Sequence, residues 1–217
     1  MNASLLLDPV SAALVVIGTL LATLMRCGWA DTRTAVSAVG QLFARRFDPV
    51  HARAELAVQV QEIVADGLVR AEPHHFGDGE FDEMTDELLR TRSIEALHGR
   101  HMEHRVRRIE AARAATAVLN NAAELAPVLG LAGTLVSLGS LATAVAADGD
   151  YARAIGMAVA TTLYGLVAAN FVFAPLAAVT ARRAEAEDRA REELLDWLLA
   201  AIEPSCPKHA GLAKNAA

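Results

Sequence analysis

Charged side chains are missing from three stretches of this 217-residue chain, 9–25, 125–147 and 154–181, none of which contains Asp, Glu, Lys, Arg or His. Charged residues still make up 21% of the chain, so they are segregated into the segments between and after those runs. That pattern excludes an evenly solvated globule and points to lipid. Other absences narrow the chemistry. There is no nucleotide-binding glycine loop, no nucleophile motif and no metal-ligand cluster, so no constellation supports an enzyme. The net charge of −6 gives no support for nucleic-acid binding. Strand-like alternation is absent, which leaves an all-helical reading.

The uncharged runs have the length of membrane spans. As a helix, residues 125–147 extend about 35 Å, enough for a ~30 Å hydrocarbon core, and 154–181 extend further. The first run is near the lower limit of length. A cleaved signal peptide would carry its basic residues before the run, whereas here Asp8 precedes it and Arg26 follows. The expected fold is therefore all-α: a polytopic membrane protein with three transmembrane helices and a cytoplasmic helical domain.

Basic residues set the orientation, because Lys and Arg near span ends stay cytoplasmic. Arg26, Arg33, Arg45 and Arg46 follow the first run, Arg107, Arg108 and Arg113 precede the second, and Arg182 and Arg183 follow the third. Residues 1–8 are then a periplasmic N-terminus and 9–25 the first span. Residues 26–124 form a cytoplasmic helical domain, 125–147 the second span, 148–153 a periplasmic loop and 154–181 the third span. Residues 182–217 are a cytoplasmic C-terminal helix and tail. The two cysteines, Cys27 and Cys206, fall on the reducing side, and no disulfide framework is implied.

Within the polar segments, Asp31 or Thr32 can cap a helix to about Arg46, with Val36, Val39, Leu42 and Phe43 at helical spacing. This helix is interfacial or part of a bundle. Residues 51–70 form a second amphipathic run carrying Leu56, Val60, Ile63 and Val64, followed by a Pro73/Gly77/Gly79 loop. Residues 80–97 and 101–115 read as helices, the latter continuous with the second span. Residues 182–202 read as a charged helix, and Pro204 onward as a tail.

In the second span Pro127, Gly130, Thr134 and Ser137 share a small, polar helix face. In the third, Ala158, Thr161 or Thr162, Gly165 and Ala169 do the same. Small residues let helices approach closely in lipid, and threonines add hydrogen bonds. Such faces serve ordinary packing or line a cation path. Intramembrane cation and proton sites normally use a carboxylate or histidine. Neither is present here, so an ion path requires a carboxylate from another chain. Glu124, at the cytoplasmic mouth, is the nearest acid, either an ion exit group or an interfacial glutamate.

The stretch from Ala126-Pro127 to Gly133-Thr134, the short loop, and Thr161-Thr162-Leu163-Tyr164-Gly165 followed by Asn170 and Pro175 resemble the MotA/TolQ/ExbB proton channel superfamily. The last two spans are most similar to flagellar stator subunits of the MotA/PomA type. The three-span plan is that of TolQ and ExbB, one span fewer at the start than a flagellar stator. The resemblance implies a homopentamer around a dimer of a single-span MotB/TolR/ExbD-like partner. That partner's membrane aspartate accepts H+ or Na+, and ion flow drives rotation in the bacterial inner membrane. By position, Thr134 and Thr162 match the threonines facing that aspartate, with Thr161 beside them. Pro127 matches the proline of conformational coupling, with Gly130 and Gly165 permitting helix movement. Glu124 stands where stators have aspartate. Glu72 falls near the rotor-facing acid, but Val64 occupies the place of the expected arginine, for which Arg70 is the substitute.

The expected function is therefore a channel-forming subunit of an ion-driven rotary motor, with no cofactor beyond the transported ion. The alternative is a structural membrane scaffold without ion conduction. His98, His101 and His104, spaced by three, drift around a helix rather than converging on a metal.

Overall fold

The computed structural model describes residues 9–43, 47–67, 70–71, 77–144 and 151–205. Among them are seven α-helices and no strand: α1 (Pro9–Cys27), α2 (Trp29–Leu42), α3 (Pro49–Asp66), α4 (Gly79–Thr91), α5 (Ile94–Ala144), α6 (Tyr151–Val167) and α7 (Ala174–Ile202). A π-helical segment, Ala168–Phe173, joins α6 to α7. Two helical runs are long and apolar enough to cross a membrane, within Ile94–Gly139 and Ile155–Ile202. The third apolar helix, α1, has 19 residues and reaches about 28 Å, marginal against a ~30 Å core.

The chain divides into two compact units. One holds α1, α2, α5 from Glu110, α6 and α7 up to Ala184; the other holds α3, α4, α5 up to Ile109 and α7 from Glu185. In the first unit α1 packs on α6. A stripe of its residues four apart, Ser11, Val15, Thr19 and Thr23, is buried. The Thr19 and Thr23 hydroxyls donate to the carbonyls of Val15 and Thr19, at 2.6 and 2.7 Å, so no hydroxyl hydrogen is stranded at the contact. Gly28, at φ 83°, ends α1 and turns the chain into α2. Ala35 of α2 then packs with Ala115 and Val118 of α5.

The second unit has an apolar core and a polar lock. Leu56, Val60 and Ile63 of α3 meet Phe81, Met84 and Leu88 of α4, Leu97 of α5, and Leu194, Leu195, Leu198 and Ile202 of α7. Asp48 and Asp78 cap α3 and α4 by accepting backbone N–H bonds from residues two and three positions on. The lock centres on Arg191, which is 7% exposed. Its Nη atoms donate to both Asp78 carboxylate oxygens at 3.0 and 2.9 Å, and its Nε donates to Glu187 at 3.0 Å. Its guanidinium lies over the Phe47 ring at 4.2 Å and the Phe81 ring at 5.7 Å. Arg105 and Arg108 both bind Asp188, and Arg108 also pairs with Glu80.

Several helix ends differ from the sequence reading. α2 starts at Trp29 behind Gly28 rather than at an Asp31 or Thr32 cap. Val36 and Phe43 face outward while Ala35 is buried. Residues 80–97 are not one helix: Arg92 adopts the left-handed conformation, φ 56°, and Ser93 then accepts the Ala96 N–H at 3.3 Å to start α5. Residues 151–153, read as loop, are the first turn of α6.

Candidate functional site: the α5–α6 groove

The site begins with two glycines. A Cβ on Gly130 of α5 would stand 2.8 Å from the Thr161 carbonyl oxygen and 3.2 Å from the Gly165 Cα. A Cβ on Gly165 of α6 would stand 2.6 Å from the Ala126 carbonyl oxygen and 3.2 Å from the Pro127 Cα. The helices therefore touch backbone to backbone, a separation that only hydrogen side chains permit. One turn along α5, Gly133 faces the Thr161 side chain, whose Cβ would be 2.9 Å from an added Cβ. Thr161 is buried at that contact and its hydroxyl donates to the Ala158 carbonyl at 2.9 Å.

Beside this crossing lies an open groove lined by Thr134 and Thr162 among aliphatic side chains that include Leu138, Ile155, Val159 and Leu166. Thr161 is not in the lining, because consecutive helical residues point about 100° apart. The two groove hydroxyls donate to their own helices, Thr134 to Leu131 at 2.6 Å and Thr162 to Ala158 at 3.5 Å. Thr134 thus presents oxygen lone pairs to the groove, and the longer Thr162 contact leaves that hydroxyl able to donate or accept there. Such oxygens can accept a hydrogen bond from a protonated carboxylic acid or contribute to a cation's coordination. They carry no charge and cannot themselves take up and release a proton at neutral pH.

The other predicted residues lie apart from the groove. Glu124 is ten residues before Thr134, about 15 Å along α5, with its carboxylate 3.4 Å from Arg26 of α1 on an exposed surface. Next to it, Asn121 donates to the Cys27 sulfur at 3.3 Å. Pro127 sits inside α5 at the glycine crossing without ending the helix. Arg70 is exposed in a turn after α3, and Glu72, Cys206 and His74 lie outside the described residues.

Two features escaped the sequence reading. The buried hydroxyl stripe of α1 was visible as Ser11, Thr19 and Thr23 spaced by multiples of four. The π-helical segment has a local cause in Pro175, which has no N–H to donate and whose ring crowds the carbonyl four residues back. Asn170 sits in the widened turn and donates to the Leu166 carbonyl at 2.9 Å.

A profile of the MotA/TolQ/ExbB proton channel family matches residues 76–193, a stretch that contains α4, α5, α6 and most of α7. The chain belongs to that family. Among curated proteins it is similar to the chemotaxis protein PomA of Vibrio alginolyticus, 35% identical over 97 residues, 43% of this chain and 37% of PomA. It is also similar to motility protein A of Bacillus subtilis, 25% identical over 131 residues, 60% of this chain and 44% of that protein. Each match thus spans less than half of the relative. Two solved structures share the fold. The flagellar MotAB stator complex from Bacillus subtilis has a TM-score of 0.74 at 20% identity, covering 96% of this chain and 83% of that one. MotAB of C. jejuni has a TM-score of 0.81 at 16% identity, covering 94% and 82%. Family membership and the apolar helices together make this a bacterial membrane protein.

Proposed function

We propose that this chain is the channel-forming subunit of an ion-motive-force-driven rotary motor in the bacterial inner membrane. The observation that carries the proposal is the α5–α6 groove: two threonine oxygens open to the same space, among aliphatic side chains, with no titratable group among the described residues that line it. The ion-accepting carboxylate comes from a single-span partner of the MotB/TolR/ExbD kind, whose helix lies along the groove. When that carboxylate is protonated or ion-loaded, Thr134 and Thr162 supply oxygens to it; when it is charged, the aliphatic walls disfavour it. This difference in affinity for the two states drives the step. Five copies surround a partner dimer, so that successive grooves meet the carboxylate in turn. The transported ion is H+ or Na+, and no other cofactor takes part.

In this reading α1 is the first of three spans, the N-terminus and residues 148–150 are periplasmic, and the second unit and the C-terminus are cytoplasmic. The glycine crossing at Gly130 and Gly165, next to Pro127, is where α5 and α6 shift against one another. Glu124 and Arg26 mark the cytoplasmic mouth, and the Arg70–Glu72 segment contributes to force transmission.

Purification with the partner, followed by native mass measurement, tests the assembly. The expected result is five copies of this chain with two of a single-span chain carrying a membrane aspartate. A stable monomer with no such partner would sink the proposal. The scaffold reading is favoured by the Thr161–Gly133 contact, where a threonine serves packing alone. It predicts that the groove hydroxyls are dispensable.

A further inference from the structure

The last turn of α1 lies against α5 through polar contacts. A Cβ on Gly18 would stand 3.5 Å from the Leu129 side chain, Arg26 Nη1 is 3.4 Å from Glu124 Oε2, and the Cys27 sulfur accepts from Asn121 at 3.3 Å. Numbers rise on α1 as they fall on α5, so the two helices run antiparallel. Asn121 and Glu124, three apart, share a face of α5. Arg26 is the first charged residue after the uncharged run 9–25, and the negative end of the α1 dipole favours a cation there.

The Arg26–Glu124 pair is built unlike the lock of the second unit. Arg191, 7% exposed, grips both carboxylate oxygens of Asp78 at 3.0 and 2.9 Å. Arg26 reaches one oxygen of Glu124 at 3.4 Å, with the two side chains 53% and 66% exposed. That is longer than the ~2.7–2.9 Å of a firm charge-assisted bond. An exposed pair of this kind adds little stability. Its guanidinium is a ligand that another cation can displace.

We propose that Arg26 competes with the transported cation for the Glu124 carboxylate, and so sets how readily the ion leaves at the cytoplasmic mouth. The inference rests on the proposed function, in which Glu124 stands at that mouth. Conduction needs sites that bind an ion well enough to receive it and weakly enough to let it go. A lone carboxylate at the mouth would hold cations arriving from either side. A guanidinium 3.4 Å away lowers their occupancy, both by repulsion and by engaging one of the oxygens. Arg26 is therefore a positioning residue that acts through Glu124.

The test uses the co-purified complex in proteoliposomes, oriented with the Glu124 side toward the bath, with efflux driven by a membrane potential. The ion is H+ or Na+, whichever the wild type conducts, and its concentration in the bath is raised until efflux is half inhibited. Removing one screened charge at this distance is expected to lower that concentration about fivefold in Arg26→Gln. Arg26→Lys, which keeps the charge, is expected to stay near the wild-type value. In a Glu124→Gln background Arg26→Gln is expected to shift nothing, because the partner is already gone. Choline chloride in the bath should shrink the shift by screening. Arg26 is exposed, so folding tolerates the change, and native mass checks the subunit count. An unchanged half-inhibiting concentration in Arg26→Gln would overturn the inference, as would a shift that persists in Glu124→Gln. Either result leaves the proposed function standing. A wild-type complex that conducts neither ion overturns the proposed function and this inference with it.

Discussion

The two units of the chain solve the problem of close packing in opposite ways. In the first, α5 and α6 meet through Gly130 and Gly165 with backbone against backbone, and the polar atoms nearby are hydroxyls bonded to their own helices. In the second, an apolar core of leucine, isoleucine, methionine and phenylalanine is closed by a buried arginine lock. On the membrane reading proposed above, the difference follows from solvent. In lipid a carboxylate–arginine lock would be expensive, so close approach has to come from removing side chains. In water, apolar burial drives packing, and a buried charge network acts mainly to fix which arrangement is adopted.

Removing the lock should have the largest effect on stability. Arg191→Ala leaves Asp78 half-buried without its cation, at a cost of about 3–5 kcal/mol, read as loss of the cooperative thermal transition of the second unit. Arg191→Met combined with Asp78→Asn, which keeps an oxygen for the α4 cap, should recover most of that loss. If the single and double variants behave alike, the lock is not a charge pair in the sense described. Next is the glycine crossing. Gly165→Ala forces α5 and α6 apart and should cost about 1–3 kcal/mol, whereas Gly139→Ala, on the same helix as Gly130 with open space around it, should cost nothing. Equal effects would erase the contrast between the units.

A smaller effect is expected from pH. His101 is buried in the second unit; burial, then the charges of Arg108 and Arg105, lower its pKa from 6.5 to about 4, with His98 adding to this and Asp188 opposing it. The folded state therefore binds fewer protons than the unfolded chain between pH 6.5 and about 4. Its stability is full above pH 6.5 and falls as pH drops through that window. His101→Gln should flatten the dependence of the melting temperature on pH between 6.5 and 4.5. Asp78 behaves separately. Burial pushes its carboxyl up, but the Arg191 hydrogen bond and charge outweigh this and hold it below the ordinary carboxylate value, so its contribution is lost only at more acid pH.

Much of this was legible in the sequence, and the reasons differ by residue. The uncharged runs, the continuity of 101–115 with the second span, and the burial of Leu56, Val60 and Ile63 all follow from local periodicity. The spacing of Thr134 within α5 and of Thr162 within α6 also places them, with the glycines, on facing sides. What local pattern could not show was the αL break at Arg92, where no glycine announces it, or the outward turn of Val36 and Phe43, whose environment depends on what lies beyond α2. The Arg191 lock was out of reach for a different reason: 113 residues separate it from Asp78, and nothing local in either segment indicates the pairing. The π-helical segment was signalled by Pro175, but a proline alone does not say whether a helix will kink, end or widen.

In the proposed function, the Thr134 and Thr162 oxygens act on an ion-carrying carboxylate from a partner chain. That action is tested most directly by ion flux into proteoliposomes holding the co-purified complex, under an imposed membrane potential. Thr134→Val and Thr162→Val preserve shape and remove the oxygens. Flux is expected to be abolished in the double variant with the subunit count unchanged, while Thr161→Ser, buried against Gly133, retains flux. Undiminished flux in the Thr134→Val, Thr162→Val double variant would contradict it.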